Sequence, residues 1–286
     1  GVSPNIIRLK SLIDRVAKAN VNTLITGKTG VGKELIAKHL HHKSNRVGKP
    51  FIKINCAALP DTLLESELFG FKKGAFTGAD REGKGKFELA DGGVLFLDEI
   101  GEMETGLQAK ILHVLQDGHF TPIGSSECIK SDVWCIAATN RNIQKELEAG
   151  NFRQDLYYRL NAVGIHVEPL RERPEDIIPL LNYFLEKYST ELESEESHTL
   201  SDNLMARVNY HKWPGNVREL QNFVKRYLLL GENEIDLPHP ETDSLINTID
   251  SNQNNSLAKP LDIEKINLKK MSKNVKDRAE KRIISY

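Results

Sequence analysis

A glycine-rich run that ends in lysine offers the clearest chemistry in this chain. Residues 27–33 read Gly-Lys-Thr-Gly-Val-Gly-Lys and lie between an apolar stretch and a segment of good helix formers. In a P-loop the glycine N–H groups surround phosphate, the helix N-terminus adds its dipole, and the lysine reaches the β and γ oxygens. A plain glycine-rich turn does not explain the lysine. The run predicts a nucleotide site made by Gly27, Lys28, Thr29, Gly30, Val31, Gly32 and Lys33.

Two adjacent acids could complete the chemistry of that site. Asp98 and Glu99 follow the apolar run 94–97. Phosphoryl transfer needs one carboxylate that holds a metal ion and a group that polarises the attacking water. We expect Asp98 to hold Mg²⁺ and Glu99 to be the general base. The alternative, solvated acids at the tip of a buried strand, is less favoured because a P-loop accompanies them.

Position 34 departs from the usual P-loop pattern. It is Glu, where most P-loops have the Ser or Thr that binds Mg²⁺. We still expect Glu34 to belong to the nucleotide site, and the metal to rely chiefly on Asp98 and water.

The elements that position these residues alternate between strand and helix. Apolar, β-branched runs predict strands, and helical patterns such as 33–42 and 106–116 separate them. The alternation predicts an α/β fold with a parallel sheet covered by helices on both faces. The expected strands are 22–26, 51–55, 94–98, 133–138 and 163–167.

The character of the chain changes after residue 169. Pro174 opens a helical pattern with acids in its first turn, and patterns over 201–209 and 217–230 follow before Gly231. We expect an ATPase α/β subdomain over 1–170, an all-helical lid subdomain over 171–238 and a polar linker over 239–260. Apolar residues at helical spacing among Lys and Arg over 261–286 predict the start of a truncated C-terminal helical segment.

Composition excludes several classes of protein. The chain has 286 residues, 28% charged and 39% hydrophobic, with a formal net charge of −1, so it lacks an overall basic footprint for nucleic acid. No apolar run approaches the roughly 18 residues of a membrane span, and we expect a cytoplasmic protein. The three histidines at 39, 41 and 42 would not share one helix face, which favours a solvated helix end over a metal site.

A small uncharged loop with one aromatic residue is the most distinctive segment. Residues 74–79 read Gly-Ala-Phe-Thr-Gly-Ala and follow Glu-Ser-Glu-Leu-Phe-Gly at 65–70. Flanking glycines let such a loop move, although composition alone favours a tight turn whose Phe packs into the core. With the motifs above in the same order, the run resembles the AAA+ activators of sigma-54 RNA polymerase, the bacterial enhancer-binding proteins, over about residues 1–238. In that family the loop contacts sigma-54.

The resemblance implies roles for further residues. Asn140, after Ala138-Thr139, resembles sensor I, which faces the γ-phosphate, and Arg218 in the run 213–220 matches sensor II on the lid. Asn55 matches the family position that holds the catalytic glutamate in an inactive orientation. Glu at position 34 is common in the family, whereas Phe71 stands where the family often has His.

Two arginines match the family's arginine fingers. Arg153 and Arg159 lie in the run Phe-Arg-Gln-Asp-Leu-Tyr-Tyr-Arg-Leu-Asn at 152–161. Arginine suits the role because its planar, permanently charged group stabilises the transferred phosphoryl group. Salt bridges at the surface are the alternative. Because fingers act across a subunit boundary, the resemblance implies a homo-oligomeric ring, a hexamer or heptamer.

The expected protein is therefore an AAA+ P-loop NTPase with a small helical lid. It would hydrolyse ATP with Mg²⁺ and remodel the closed promoter complex of sigma-54 RNA polymerase. Promoter or enhancer DNA would be bound by a C-terminal helix-turn-helix domain that we expect to be missing here. The contact loop would comprise Gly74, Ala75, Phe76, Thr77, Gly78 and Ala79.

Two other classes remain open. A general AAA+ remodeller would share every nucleotide motif, and only the runs 74–79 and 152–161 argue against it. A DNA-binding regulator with a vestigial ATPase is the second, and the intact Lys33, Asp98 and Glu99 argue against that.

Overall fold

A computed structural model describes residues 1–191, 200–235 and 237. Residues Gly1–Pro238 form one compact unit. The predicted linker at 239–260 and the helical segment at 261–286 lie outside the described residues.

Nine strands and ten α-helices are present in the described part of the chain. The strands are β1 (Thr23–Thr26), β2 (Phe51–Asn55), β3 (Gly70–Phe71), β4 (Gly83–Lys84), β5 (Val94–Asp98), β6 (His119–Phe120), β7 (Ile129–Lys130), β8 (Trp134–Thr139) and β9 (Val163–His166). The helices are α1 (Pro4–Ala19), α2 (Lys33–Lys43), α3 (Asp61–Phe69), α4 (Lys86–Leu89), α5 (Thr105–Asp117), α6 (Ile143–Glu148), α7 (Gln154–Leu160), α8 (Ile177–Glu191), α9 (Asp202–Tyr210) and α10 (Asn216–Leu230).

Five strands make one sheet in the order β2-β5-β8-β1-β9, and every neighbouring pair is parallel. The parallel sheet predicted from the sequence is confirmed, and its strands lie within one residue of the expected bounds. The carboxyl ends of parallel strands meet at one edge. The ends of β1, β2, β5 and β8 therefore bring the P-loop, Asn55, Asp98 and Asn140 to the same side of the sheet.

Helices cover both faces of this sheet. Along β5, Val94 and Phe96 pack into the cluster with α1 and α2, whereas Leu95 and Leu97 pack into the cluster with α3 and α5. This alternation follows from the period of two in a strand. It explains why the run 94–97 is apolar at every position and why the first polar group, Asp98, stands at the strand's end.

The helical segment after residue 169 has a core of its own. Helices α8, α9 and α10 enclose Trp213 and Phe223, whose ring centroids are 5.7 Å apart. The predicted helix start at Pro174 is a short 3₁₀ turn, Pro174–Asp176, and the α-helix begins at Ile177. Ser201 caps α9 by accepting a hydrogen bond from the N–H of Leu204.

Candidate functional site

The P-loop run connects β1 to α2 at the carboxyl edge of the sheet. Two of its glycines have a backbone that side chains disfavour, with φ of +79° at Gly30 and +106° at Gly32. A Cβ atom at Gly30 would also lie 2.4 Å from the carbonyl oxygen of Gly215, so the loop and the helical segment approach closely there. The sequence pattern of glycines is therefore required by the geometry at these two positions.

Three consecutive carbonyl oxygens of this loop accept hydrogen bonds from the helical segment. Asn216 Nδ2 donates to Thr29 at 2.9 Å, and the N–H of Arg218 donates to Gly30 at 3.3 Å. The Arg173 guanidinium donates to Val31 at 3.2 Å. These contacts hold the P-loop conformation from the lid side. The sequence analysis assigned no site role to Asn216 or Arg173, and a fully buried Asn at a helix start leaves no pattern that would have identified it.

Lys33, Glu99 and Asn140 meet at the centre of the site. Lys33 Nζ donates to the carbonyl oxygen of Gly27 at 2.9 Å and lies 3.4 Å from Glu99 Oε1. Glu99 Oε2 accepts the N–H of Asn140 at 2.9 Å, and Asn140 Nδ2 donates to Thr29 Oγ1 at 3.0 Å. The structure thus brings five sequence-predicted site residues into one hydrogen-bonded cluster.

Glu99 itself has an unusual backbone conformation. Its φ is +54°, in the left-handed region that residues other than glycine rarely adopt. Such conformations cost about 1–3 kcal/mol and occur where surrounding structure enforces them, often at active sites. The turn directs the carboxylate into the cluster, where 18% of the side chain stays exposed.

Glu34 and Asp98 share a cation that the sequence analysis did not identify. Lys53 Nζ lies 2.6 Å from Glu34 Oε2 and 3.3 Å from Asp98 Oδ2. Lys38 binds the other oxygen of Glu34 at 2.8 Å. Hydrogen bonds from Lys38 and Lys53 lower the pKa of Glu34. Partial burial opposes the charge of Lys53, but the hydrogen bond to Glu34 and the charge of Asp98 outweigh it and raise its pKa. The feature of the sequence that could have identified Lys53 is that it is the single charged residue in the strand 51–55.

The donor set at this point suits a hard divalent cation. Mg²⁺ prefers carboxylate, phosphate and water oxygens, and Asp98 and Glu34 already hold a cationic group between them. Across the described ranges, no three His, Cys, Asp or Glu side chains are grouped as a metal site would require. Mg²⁺ here would therefore draw most of its ligands from nucleotide phosphates and water.

Asn55 stands beside this centre without joining it. It is in register with Asp98 on the neighbouring strand, and its Oδ1 accepts the N–H of Ala57 at 3.0 Å. Its side chain makes no hydrogen bond to Glu99 in the part of the chain that the structure describes. Its role as a switch for Glu99 stays a prediction.

The two predicted finger arginines lie on the surface with partners in their own chain. Arg153 forms a bidentate pair with Asp155 at 2.7 and 3.1 Å, which raises the pKa of Arg153 and lowers that of Asp155. Arg159 donates twice to the carbonyl oxygen of Leu115, at 2.6 and 3.0 Å. Neither arginine joins the Glu99 cluster of its own chain, which is the arrangement a finger acting on a neighbouring subunit would need.

Arg218 faces an open cleft next to the P-loop. Its exposed side chain, Thr29 and Gly215 line a cavity of about 600 Å³. Lys225 and Arg226 on the same helix add positive charge to the lining, which also contains the acid Glu219. The cleft suits an anionic ligand that extends from the P-loop towards the lid.

The run 74–79 forms a compact turn. The N–H of Gly74 donates to the carbonyl oxygen of Ala79 at 2.9 Å, and the N–H of Ala79 donates to that of Phe76 at 3.0 Å. The Phe76 side chain is 42% exposed and lies against Phe71. Packing of this phenylalanine in the core, favoured by composition alone, is therefore wrong. Gly74, Thr77 and Gly78 are exposed, Ala75 is half-buried and Ala79 is buried.

In chain order, the turn lies between two strands of the central sheet, β2 and β5. Its base is the antiparallel pair of β3 and β4, and the N–H of Lys72 also donates to the carbonyl oxygen of Ile123 at 3.0 Å. The chain reaches it from β2 through α3, and it returns through α4 to β5. The turn is thus connected along the chain to the strand ends that carry Asn55 and Asp98.

Comparison with known families decides the classification. Residues 1–166 match the family model described as the sigma-54 interaction domain. The chain belongs to the sigma-54 interaction domain family. Residues 171–258 match the AAA+ ATPase lid domain. The AAA+ fold with a helical lid, expected from the sequence, is confirmed.

Relatives of this sigma-54 interaction domain include Nif-specific regulatory proteins and the regulatory protein LuxO. The Nif-specific regulatory protein of Azotobacter vinelandii is 49% identical over 82% of this chain and 44% of its own length. The regulatory protein LuxO of Vibrio cholerae is 50% identical over 80% of this chain and 43% of its own length. The chain thus spans less than half the length of these curated relatives.

Solved structures support the same classification. NtrX from Brucella abortus in complex with ADP aligns with a TM-score of 0.76 and 33% identity, covering 92% of this chain and 57% of that one. NtrX in complex with ATP aligns with a TM-score of 0.75 and 33% identity, covering 89% of this chain and 63% of that one. Within the described residues, no helix of this family member is long and apolar enough to cross a membrane.

Proposed function

We propose that this chain is the ATP-hydrolysing domain of a transcription activator that remodels the closed promoter complex of sigma-54 RNA polymerase. The observation that carries the proposal is the turn at 74–79. It belongs to none of the nucleotide motifs, exposes Phe76 and Thr77, and is inserted between β2 and β5, whose ends lie at the nucleotide site. The family match supports sigma-54 as the protein that this turn contacts. This partner, RNA polymerase, would place the protein in the cytoplasm.

The proposed hydrolysis uses the cluster around Glu99. The P-loop N–H groups and Lys33 would bind the phosphates of ATP, with Asn140 at the γ-phosphate and Arg218 reaching from the lid. Asp98 would hold Mg²⁺, which when bound neutralises charge on the phosphates. Phosphate oxygens would compete with Glu99 for the ammonium of Lys33, 3.4 Å away. One carboxylate oxygen of Glu99 is then available to accept a proton from water, while the N–H of Asn140 still orients the other.

The proposal includes a ring of identical subunits. Arg153 and Arg159 lie on the surface and bind Asp155 and the carbonyl oxygen of Leu115 in their own chain, and they would stabilise the phosphoryl group bound by the neighbouring subunit. A hexamer or heptamer is the expected assembly. Asn55 would hold Glu99 in an unproductive orientation until the loop engages its client. Promoter or enhancer DNA would be bound through a C-terminal domain.

Capture of sigma-54 tests the proposal. ADP with a metal fluoride mimics the planar phosphoryl group that the site should bind best, so the loaded protein is expected to retain sigma-54 in a pull-down. Thr77→Ala is expected to keep ATPase activity but lose capture. The matched control is Thr62→Ala, an exposed threonine at the start of α3, which should capture sigma-54 as the wild type does.

Two results would contradict the proposal in different ways. Equal capture by the wild type and Thr77→Ala would exclude the role of the turn. Failure of the loaded wild type to capture sigma-54 would leave an AAA+ remodeller with another client.

A further inference from the structure

The side chain of Lys53 places its ammonium group where the strand position alone does not require it to be. It is the third residue of β2, and 37% of its side chain is exposed at the carboxyl edge of the sheet. A lysine there could extend into solvent. Instead its ammonium group lies between Glu34 and Asp98, 2.6 Å from one carboxylate and 3.3 Å from the other.

The two carboxylates come from the two motifs that surround a bound metal ion. Glu34 directly follows Lys33 at the start of α2, where most P-loops place their metal-binding hydroxyl. Asp98 ends β5 beside Glu99. A cation between these groups compensates two negative charges that would otherwise repel each other across a short distance.

We propose that Lys53 is a positioning residue that holds the place of Mg²⁺ between Glu34 and Asp98 until the metal–nucleotide complex binds. The inference rests on the proposed function, because it concerns the metal that ATP would bring. The ammonium keeps the two carboxylates close and stops a divalent cation from binding alone. The flexible four-carbon stem lets the ammonium move away when a metal with phosphate ligands provides more charge than a single ammonium.

A simple ion pair at the surface would behave differently. Exposed pairs contribute little to stability and have no link to a divalent cation. The proposal instead requires that removal of the Lys53 charge makes the site a better metal site. Lys38 provides a matched control, because it binds Glu34 at 2.8 Å through the other oxygen and has no ion pair with Asp98 among the described residues.

The experiment compares Lys53→Met with Lys38→Met and the wild type. Binding of Mn²⁺ to the nucleotide-free protein is followed by electron paramagnetic resonance. In parallel, the affinity for a fluorescent ATP analogue is measured as Mg²⁺ is raised. Lys53→Met is expected to bind Mn²⁺ without nucleotide and to lower the half-saturating Mg²⁺ about tenfold, at the lower end of the effect of residues that support metal ligands. Lys38→Met should resemble the wild type.

Two further variants separate charge from shape. Lys53→Arg keeps a cation at this point and should keep the wild-type Mg²⁺ requirement. Lys53→Gln also removes the charge but keeps a polar side chain, and it should have the same effect as Lys53→Met. It takes the place of Lys53→Met if thermal unfolding shows that Lys53→Met folds poorly. An unchanged or increased Mg²⁺ requirement in both neutral variants would overturn the proposal, as would an equal shift in Lys38→Met. The Mn²⁺ measurement needs neither hydrolysis nor sigma-54, so failure of the proposed function would be seen separately.

Discussion

The rings of Phe71 and Phe76 lie with their centroids 5.0 Å apart at an angle of 57°. Phe71 belongs to β3 at the base of the hairpin, and Phe76 stands in the middle of the turn 74–79. The contact covers one side of the aromatic ring that we propose to face sigma-54. We therefore expect Phe71, at the base of the turn, to influence how far the turn presents the side chain of Phe76.

Removal of the Phe71 ring should release Phe76. Aromatic pairs of this kind contribute about 0.5–1.5 kcal/mol beyond their buried area. Phe71→Ala could therefore change the fraction of molecules in which the Phe76 ring is free to contact sigma-54 by up to about tenfold. We expect increased sigma-54 capture in the ADP state, measured by pull-down against the state loaded with the metal fluoride analogue. Phe71→Tyr keeps the ring and should match the wild type. If the ratio of sigma-54 capture in the ADP state to capture in the metal fluoride state is the same in Phe71→Ala as in the wild type, Phe71 does not control the turn.

The carboxylate of Glu99 should be needed for turnover and dispensable for ATP binding. Glu99→Gln keeps an oxygen that can accept the N–H of Asn140 but cannot take a proton from water. We expect steady-state ATPase activity to fall by about 10² to 10⁴, the usual contribution of a general base. Binding of a fluorescent ATP analogue should stay near the wild-type value. Near-normal turnover would show that another group acts as the base.

The two surface arginines should act on a neighbouring subunit. Arg153→Ala and Arg159→Ala are expected to fold, since both side chains are exposed, and to lose hydrolysis. Mixing either variant with Lys33→Ala should restore part of the activity, because an intact finger can then face an intact P-loop. Native mass spectrometry would confirm that mixed rings form. Mixed rings without any activity would reject the finger role for that arginine.

The buried pair of Asp176 and Arg173 should make stability depend on acid pH. Burial alone would raise the pKa of Asp176, but hydrogen bonds from Ser3 and Val2 outweigh it and lower the pKa of this carboxyl from its ordinary value. A carboxylate whose folded pKa is lowered stabilises the protein above its unfolded pKa, and the contribution disappears as the pH falls through the folded value.

Asp176→Asn should therefore lower the free energy of unfolding at pH 7 by about 3 kcal/mol, since breaking a buried pair leaves the Arg173 charge uncompensated. The difference from the wild type should shrink as the pH falls below about 4, and urea unfolding at several pH values would measure it. Glu175→Gln is the control, because the carboxylate of Glu175 neighbours Asp176 in the chain but is exposed. A difference that does not change between pH 7 and pH 3 would contradict the assignment.

The sequence predicted the sheet and named most residues of the candidate nucleotide site because both have local signatures. Glycines before a helix, and acids at the end of an apolar strand, give a position as well as a role. Lys53, Arg173 and Asn216 have no such signature, since their partners at the nucleotide site, Glu34, Val31 and Thr29, lie 19, 142 and 187 residues away along the chain. The contact of Phe76 with Phe71 was missed for a related reason. Composition favoured burial of the ring in the core, whereas the hairpin offers it a neighbour outside the core.

The hydrogen bonds from the lid to three consecutive P-loop carbonyls have a thermodynamic consequence. A loop fixed at Thr29, Gly30 and Val31 by the helical segment cannot rearrange around phosphate unless that segment moves with it. Phosphate binding and lid docking then share one coupling free energy, and linkage makes it reciprocal. Any partner or neighbouring subunit that moves the lid relative to the P-loop would change nucleotide affinity by the same factor by which nucleotide changes the affinity for that partner.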